Sequence, residues 1–271
     1  MARVRLDDEL ISQGICENRA DALRTLMAGL VSSGGERLSS PGMMVKPGID
    51  LHVKGHIPYV GRGGLKLAGA LDAFGLDPAG LTCVDVGCST GGFTDCLLKR
   101  GAAHVVSVDV GRAQFDWSLR NDDRVTLLER TNIVDVPPLG YAGSFDVAVC
   151  DVSFTSIRTI LPAVLDLLSV DGAFLTLVKP QFEAAPGEVG EGGIVRDPAV
   201  HARVLADTVR LFAASGLAPL DICASPIKGA KGNREFFLLG ARGSRDVDAL
   251  LSHADALAAH VEALTDKAVR L

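Results

Sequence analysis

Apolar and polar positions alternate in two different ways along this chain. Between residues 5 and 54 the apolar residues recur at helical spacing over two short stretches. Leu6, Leu10 and Ile11 share one face, and Gly14 ends that run. Ala22, Leu23, Leu26 and Met27 are expected on the inner face of a second helix from Arg19 to Ala28, with Asn18 as its N-cap and Gly29 as its stop. Val31 and the run 46–53, separated by the turn-rich stretch 32–35, predict a small β-ribbon with a loose loop. From residue 67 onward the period changes. Short β-branched runs at 82–86, 105–109, 125–128, 145–150 and 173–178 alternate with helical stretches, and two more runs lie near 220–225 and 236–239. Runs of this kind are buried on both faces, so the pattern specifies an α/β fold. Its core is a doubly wound, mostly parallel seven-stranded sheet whose last two strands pair antiparallel, and its ligands belong at the carboxyl ends of the strands. A closing amphipathic helix, with Val247, Leu250, Leu251, Leu257, Val261 and Leu264 inward, is expected to pack against the body.

These patterns divide the chain into a small α+β domain at 1–55, a linker at 56–66 rich in glycine, and a large domain at 67–271 whose first helix runs from about Leu67 to Phe74. The length of 271 residues suits one large and one small domain. Six cysteines without a Cys-x2-Cys pair, several inside apolar runs, predict buried reduced thiols, no metal site and a cytoplasmic home. The residues from Met1 to Glu9 hold no apolar signal core, and no run of about 18 apolar residues occurs, so neither secretion nor membrane spanning is expected. The net charge of -6 argues against nucleic acid until it is divided. Residues 1–66 carry 9 Lys+Arg against 7 Asp+Glu, whereas the remainder carries 18 against 26. A mildly basic front on an acidic body remains compatible with RNA.

The chemistry begins at the first strand of the large domain. Asp85-Val86-Gly87-Cys88-Ser89-Thr90-Gly91-Gly92-Phe93 reads as strand end, tight loop and helix start, with Ser89 or Thr90 as the expected cap. Gly87 lets the chain turn, and Gly91-Gly92 would let a ligand lie against bare backbone at the positive end of the helix. The glycine spacing is not that of a dinucleotide or triphosphate cradle. Asp85 would repel pyrophosphate but suits the ammonium end of a cationic ligand, directly or through water, and S-adenosylmethionine meets that description. Asp109 follows Gly87 by 22 residues at the end of the next strand, where a carboxylate can accept both hydroxyls of a cofactor ribose. Asn132, after the third strand, is placed to read an adenine edge. Lys66, Asp151, Lys179 and Glu235 are distant in sequence, yet the topology brings them to the same edge of the sheet.

Two resemblances add to this reading. The front resembles the S4-like RNA-binding domain through Arg5-Leu6-Asp7, Leu10, Gly14, Asn18-Arg19, Ala22, Gly29, Val31 and Lys46-Pro47-Gly48. That likeness implies RNA contacts by Arg3, Arg5 and Arg19, while Arg62 beside the linker glycines is a further cation for RNA. The Lys-Asp-Lys-Glu set resembles that of FtsJ-type ribose 2'-O-methyltransferases. With Arg62-Gly63-Gly64-Leu65-Lys66-Leu67, Val178-Lys179-Pro180-Gln181-Phe182-Glu183, Val195-Arg196-Asp197-Pro198 and Gly232-Asn233-Arg234-Glu235-Phe236, the whole chain resembles TlyA-type ribosomal RNA 2'-O-methyltransferases, a family also labelled haemolysin. The resemblance implies S-adenosylmethionine as cofactor, cytidine in ribosomal RNA or a ribosomal subunit as substrate, and Lys179 as general base. It implies that Asp151 orients Lys179 and the methyl donor, and that Lys66 and Glu235 hold the ribose and the lysine pair. Two other readings are weighed beside it. A non-catalytic RNA-binding factor of ribosome assembly would be free to lose Lys179, Asp151, Asp85 and Asp109, all of which stand here. A membrane-active haemolysin needs a spanning segment, a cationic amphipathic face or a secretion signal, and the sequence offers none of them.

Overall fold

In the computed structural model, which describes residues 3–16, 18–55, 57–243 and 257, the chain divides into two units, Met1–Pro58 and Tyr59–Leu271. The smaller unit runs β1 (Val4–Arg5), α1 (Leu6–Ser12), α2 (Arg19–Met27), β2 (Val31–Ser33), β3 (Glu36–Arg37), β4 (Met44–Val45) and β5 (His52–Val53). Asn18 caps α2 as its residue type predicts, its side chain accepting the Asp21 amide at 3.1 Å. Leu6, Leu10, Ala22, Leu26, Val31, Val45 and Val53 close a core between the helices and the strands. Met27 departs from expectation. It is 80% exposed, because it follows Leu26 around the last turn of α2 and leaves the face that Ala22 and Leu26 bury. β2 pairs antiparallel with both β3 and β5, and β1 pairs with β4.

The larger unit opens with α3 (Gly63–Phe74) and β6 (Thr82–Val86), followed by α4 (Gly92–Lys99), β7 (His104–Asp109), α5 (Trp117–Arg120) and β8 (Val125–Glu129). Then come β9 (Phe145–Cys150), α6 (Ile157–Leu167), β10 (Leu168–Val178), α7 (Pro180–Glu183), α8 (Pro198–Ala214), β11 (Ala218–Ala224) and β12 (Phe236–Ala241). One sheet takes all seven strands in the order β11-β12-β10-β9-β6-β7-β8. The run from β10 to β8 is parallel, and β12 is antiparallel to both of its neighbours. Side chains alternate across it as a period of two requires: Val84, Val86, Phe174 and Val178 join the core under α6 and α8, whereas Cys83, Leu175 and Leu177 join the core under α3 and α4.

Two boundaries differ from the sequence expectation. Helix α3 starts at Gly63 rather than near Leu67. Its glycines allow close packing of that first turn, since a Cβ on Gly64 would stand 2.2 Å from Cγ of Tyr59. Strand β10 begins at Leu168 rather than Ala173, with a register shift between the two. The closing helix expected across 247–264 lies outside the described residues except for Leu257, which packs against the core under α6 and α8. No helix among the described residues is long and apolar enough to cross a membrane.

Candidate active site

Strand order reverses between β6 and β9, and their carboxyl ends meet there. Gly87 has φ 82°, a conformation glycine adopts without a Cβ penalty. A Cβ on it would lie 3.1 Å from the Asp151 carbonyl oxygen, so only glycine lets the two strand ends approach this closely. The following helix has no side-chain cap of its own, because its N-cap position falls on Gly91 rather than on Ser89 or Thr90. Asp85 does that work from within the sheet. Its Oδ2 accepts the Thr94 amide at 3.0 Å and the Thr94 hydroxyl at 2.7 Å, and that hydroxyl pairs with Ser107 at 2.7 Å. Asp85 is fully buried, and burial pushes its carboxyl up to about 7. It lines neither of the two cavities at this edge and lies behind the loop that walls them.

Those cavities have volumes of about 580 and 370 Å³ and share walls at Gly87, Ser89, Asp151, Ser153 and Phe154. The larger is walled by Asp109 and Asn132 together with Val110, Ile133 and Ile160. The Asp109 carboxylate is fixed by two amides, that of Ser89 at 2.8 Å and that of Gly111 at 2.6 Å. Asn132 accepts the Val134 amide at 3.3 Å and caps a short 3-10 turn, which holds it on the same wall. Cys88, Thr90, Gly92 and Phe93 line the smaller cavity. Gly91 lines neither: a Cβ there would stand 2.5 Å from Cδ1 of Leu119, so this glycine serves packing against α5. Gly92 also has a packing duty, since its Cβ would sit 3.0 Å from the Gly64 amide nitrogen and 3.3 Å from the Gly61 carbonyl oxygen. Gly92→Ala is therefore expected to push the first turn of α3, which carries Lys66, away from the loop, and to cost about 1–3 kcal/mol in denaturant unfolding. An unchanged midpoint would show that the turn yields freely.

The smaller cavity gathers four charged side chains into a chain of contacts. Lys66 Nζ donates to Glu235 Oε2 at 2.6 Å and lies 3.9 Å from Asp151 Oδ2. Lys179 Nζ forms an ion pair with Asp151 Oδ1 at 2.6 Å, off the line of an aligned hydrogen bond, and donates to Ser153 Oγ at 2.8 Å. Their side chains are between 3% and 21% exposed, so two cations and two anions sit where desolvation is costly unless each is paired. The backbone explains the convergence. Lys179 and Asp151 directly follow parallel neighbours β10 and β9, and the antiparallel register Val178↔Phe236 puts Glu235 level with Lys179. Lys66 reaches them from the first turns of α3. Ser153 and Phe154, which follow the strand end at Asp151, are not among the residues that the sequence singles out. Phe154 has φ 62°, is 91% exposed, and meets the ring of Phe182 at 5.1 Å on the shared wall.

The arginines singled out in the sequence fall in both units. Arg62 is exposed and donates to the Lys228 carbonyl at 3.1 Å. In the smaller unit Arg3 is exposed, while Arg5 and Arg19 both bond to the buried carboxylate of Asp7 at 2.8 and 3.1 Å. Those guanidiniums hold Asp7 down at about 2, and each remains roughly half exposed.

Residues 59–242 match the model of FtsJ-like methyltransferases. The chain is similar to the 16S/23S rRNA (cytidine-2'-O)-methyltransferase TlyA of Mycobacterium tuberculosis, at 44% identity over 87% of this chain and 89% of that protein. It is likewise similar to Hemolysin A of Brachyspira hyodysenteriae, at 40% identity over 86% of this chain and 98% of that one. Among solved structures, a haemolysin-named protein from Streptococcus thermophilus superposes with a TM-score of 0.70, at 38% identity and full coverage of both chains.

Proposed function

The chain belongs to the FtsJ-like methyltransferases, in the group of TlyA rRNA methyltransferases, and from that premise we propose that it methylates the 2'-hydroxyl of a cytidine ribose in ribosomal RNA. The observation that carries the proposal is the buried contact chain from Glu235 through Lys66 and Asp151 to Lys179 beside the two joined cavities.

S-adenosylmethionine is the cofactor, and it supplies a methyl group on a sulfonium. The residues fit it. Asp109, held by two amides, offers its carboxylate edge to a ribose diol, and Val110, Ile133 and Ile160 give an apolar slot for adenine next to Asn132. The smaller cavity is then left for the acceptor. A ribose hydroxyl is a weak acid and attacks only as its proton leaves, so the acceptor oxygen needs a positioned base and an in-line approach. Lys179 is that base in this reading, acting as the neutral amine, whose lone pair takes the hydroxyl proton as the oxygen attacks the methyl and the sulfonium leaves as a thioether. Asp151 and Ser153 each hold its Nζ, which fixes the direction from which the proton is taken. Lys66, tied to Glu235, stands across Asp151 and is assigned to hold the ribose. Asp85 shapes the loop that separates the two cavities.

Arg62 and, in an S4-like module at the front, Arg3, Arg5 and Arg19 are assigned to RNA phosphates; a ribosomal substrate agrees with a cytoplasmic location. The test is transfer of labelled methyl to both ribosomal RNAs and to assembled subunits, with nuclease digestion and mass spectrometry of the product. Label on a ribose is the expected outcome. Cofactor binding without transfer to any RNA, or label on a base, would overturn the proposal.

A further inference from the structure

A basic loop borders the smaller cavity on the side of Glu235. Residues 226–234 contain Lys228, Lys231 and Arg234 and no carboxylate, although residues 59–271 as a whole carry 20 Lys+Arg against 26 Asp+Glu. The loop keeps a defined course. The Gly229 amide donates to the Asn233 carbonyl at 2.9 Å, and the Gly232 amide to the Gly229 carbonyl at 3.1 Å. Asn233, only 4% exposed, clasps the Val195 amide at 3.2 Å and the Gly193 carbonyl at 2.9 Å. Arg62 joins it through the Lys228 carbonyl. A Cβ on Gly229 would stand 2.0 Å from Oε1 of Glu235, so the loop backbone rests on the carboxylate that lines the smaller cavity and holds Lys66. Lys228 and Lys231 are exposed on this loop. Lys231 has φ 59°, where glycine would be less strained, yet a cation stands there.

We propose that this loop grips the sugar-phosphate backbone of the RNA that enters the cavity, an inference that rests on the methyltransferase reading above. Three features favour phosphates over base edges as its target. The cations are concentrated on a unit whose overall charge would repel RNA. Two of them are lysines, point charges on flexible stems that suit a phosphate better than a planar base edge. The loop holds no aromatic residue on which a base could stack. It therefore adds affinity and salt dependence next to the acceptor site, and leaves the choice of nucleotide to the cavity.

The test uses the full chain, wild type against Lys228→Gln/Lys231→Gln, binding a 23S RNA transcript and an unrelated RNA of equal length across 50 to 200 mM salt. The double variant is expected to bind both RNAs about tenfold more weakly at low salt. Its plot of log affinity against log salt should be shallower by about 0.7–0.9 for each phosphate that the protein no longer neutralises. Cofactor binding and the methylated position should stay the same, and Lys228→Arg/Lys231→Arg should restore affinity. Unchanged affinity and slope, with methylation intact, would overturn the loop assignment alone. A shallower slope in the variant, beside a wild type that methylates no ribosomal RNA, would support the loop and overturn the acceptor. A wild type that binds neither RNA would overturn both.

Discussion

Lys179→Ala is expected to lower the rate of methyl transfer by about a thousandfold, within the range of about 10²–10⁴ that a positioned general base supplies, while cofactor binding stays intact. The substitution removes the only group in the chain of contacts that both Asp151 and Ser153 orient. It does not strand Asp151 without a counter-charge, because Lys66 remains 3.9 Å from its other oxygen. That separates loss of chemistry from loss of fold. Lys179→Met keeps the volume and the apolar stem, so it should match Lys179→Ala in rate and exceed it in stability. Single-turnover transfer, measured beside calorimetric titration of the cofactor, checks both. Either variant transferring at close to the wild-type rate would remove Lys179 from the role of base. Cofactor affinity falling along with the rate would move its role to binding.

Much of this arrangement is readable from the chain because β-branched runs buried on both faces leave little choice of architecture. A parallel sheet collects strand-end residues at one edge, so Asp109, Asp151 and Lys179 had to be neighbours of the site wherever the loops went. Glu235 was legible for a subtler reason. It precedes a strand close enough to its predecessor to pair antiparallel, which returns it to the same edge. What the sequence does not carry is direction at the level of single side chains. Ser153 reaches Lys179 because of the turn after β9, in which Phe154 takes a left-handed conformation that no residue pattern announces. Gly91 looked like a surface for a ligand, yet the room it leaves is filled by Leu119 and Phe115. A glycine reports that a Cβ is unwelcome and not what stands in its place.

Asp85 shows the same limit, and it yields the second large effect. Burial raises its carboxyl from 3.8 to about 7, so the folded protein keeps a proton that the unfolded chain releases in between. Stability from this group is fully present below about pH 4 and is lost as pH rises towards 7. At about 1.4 kcal/mol per unit the loss reaches about 4 kcal/mol as an upper bound. Asp85→Asn keeps an acceptor for the Thr94 amide and has no proton to lose. Denaturant unfolding at pH 5 and pH 8 should therefore show a steep fall for the wild type and a much flatter response for the variant, which becomes the more stable of the two at pH 8. Parallel pH dependences would show that Asp85 does not titrate in this window. The same variant separates two roles that share one position. If Asp85 acts as a cap within the sheet, Asp85→Asn binds S-adenosylmethionine as tightly as the wild type, because Thr94 stays anchored and the loop keeps its shape. If the carboxylate's charge acts on the methionine ammonium through water, affinity falls while the unfolding midpoint at pH 5 holds.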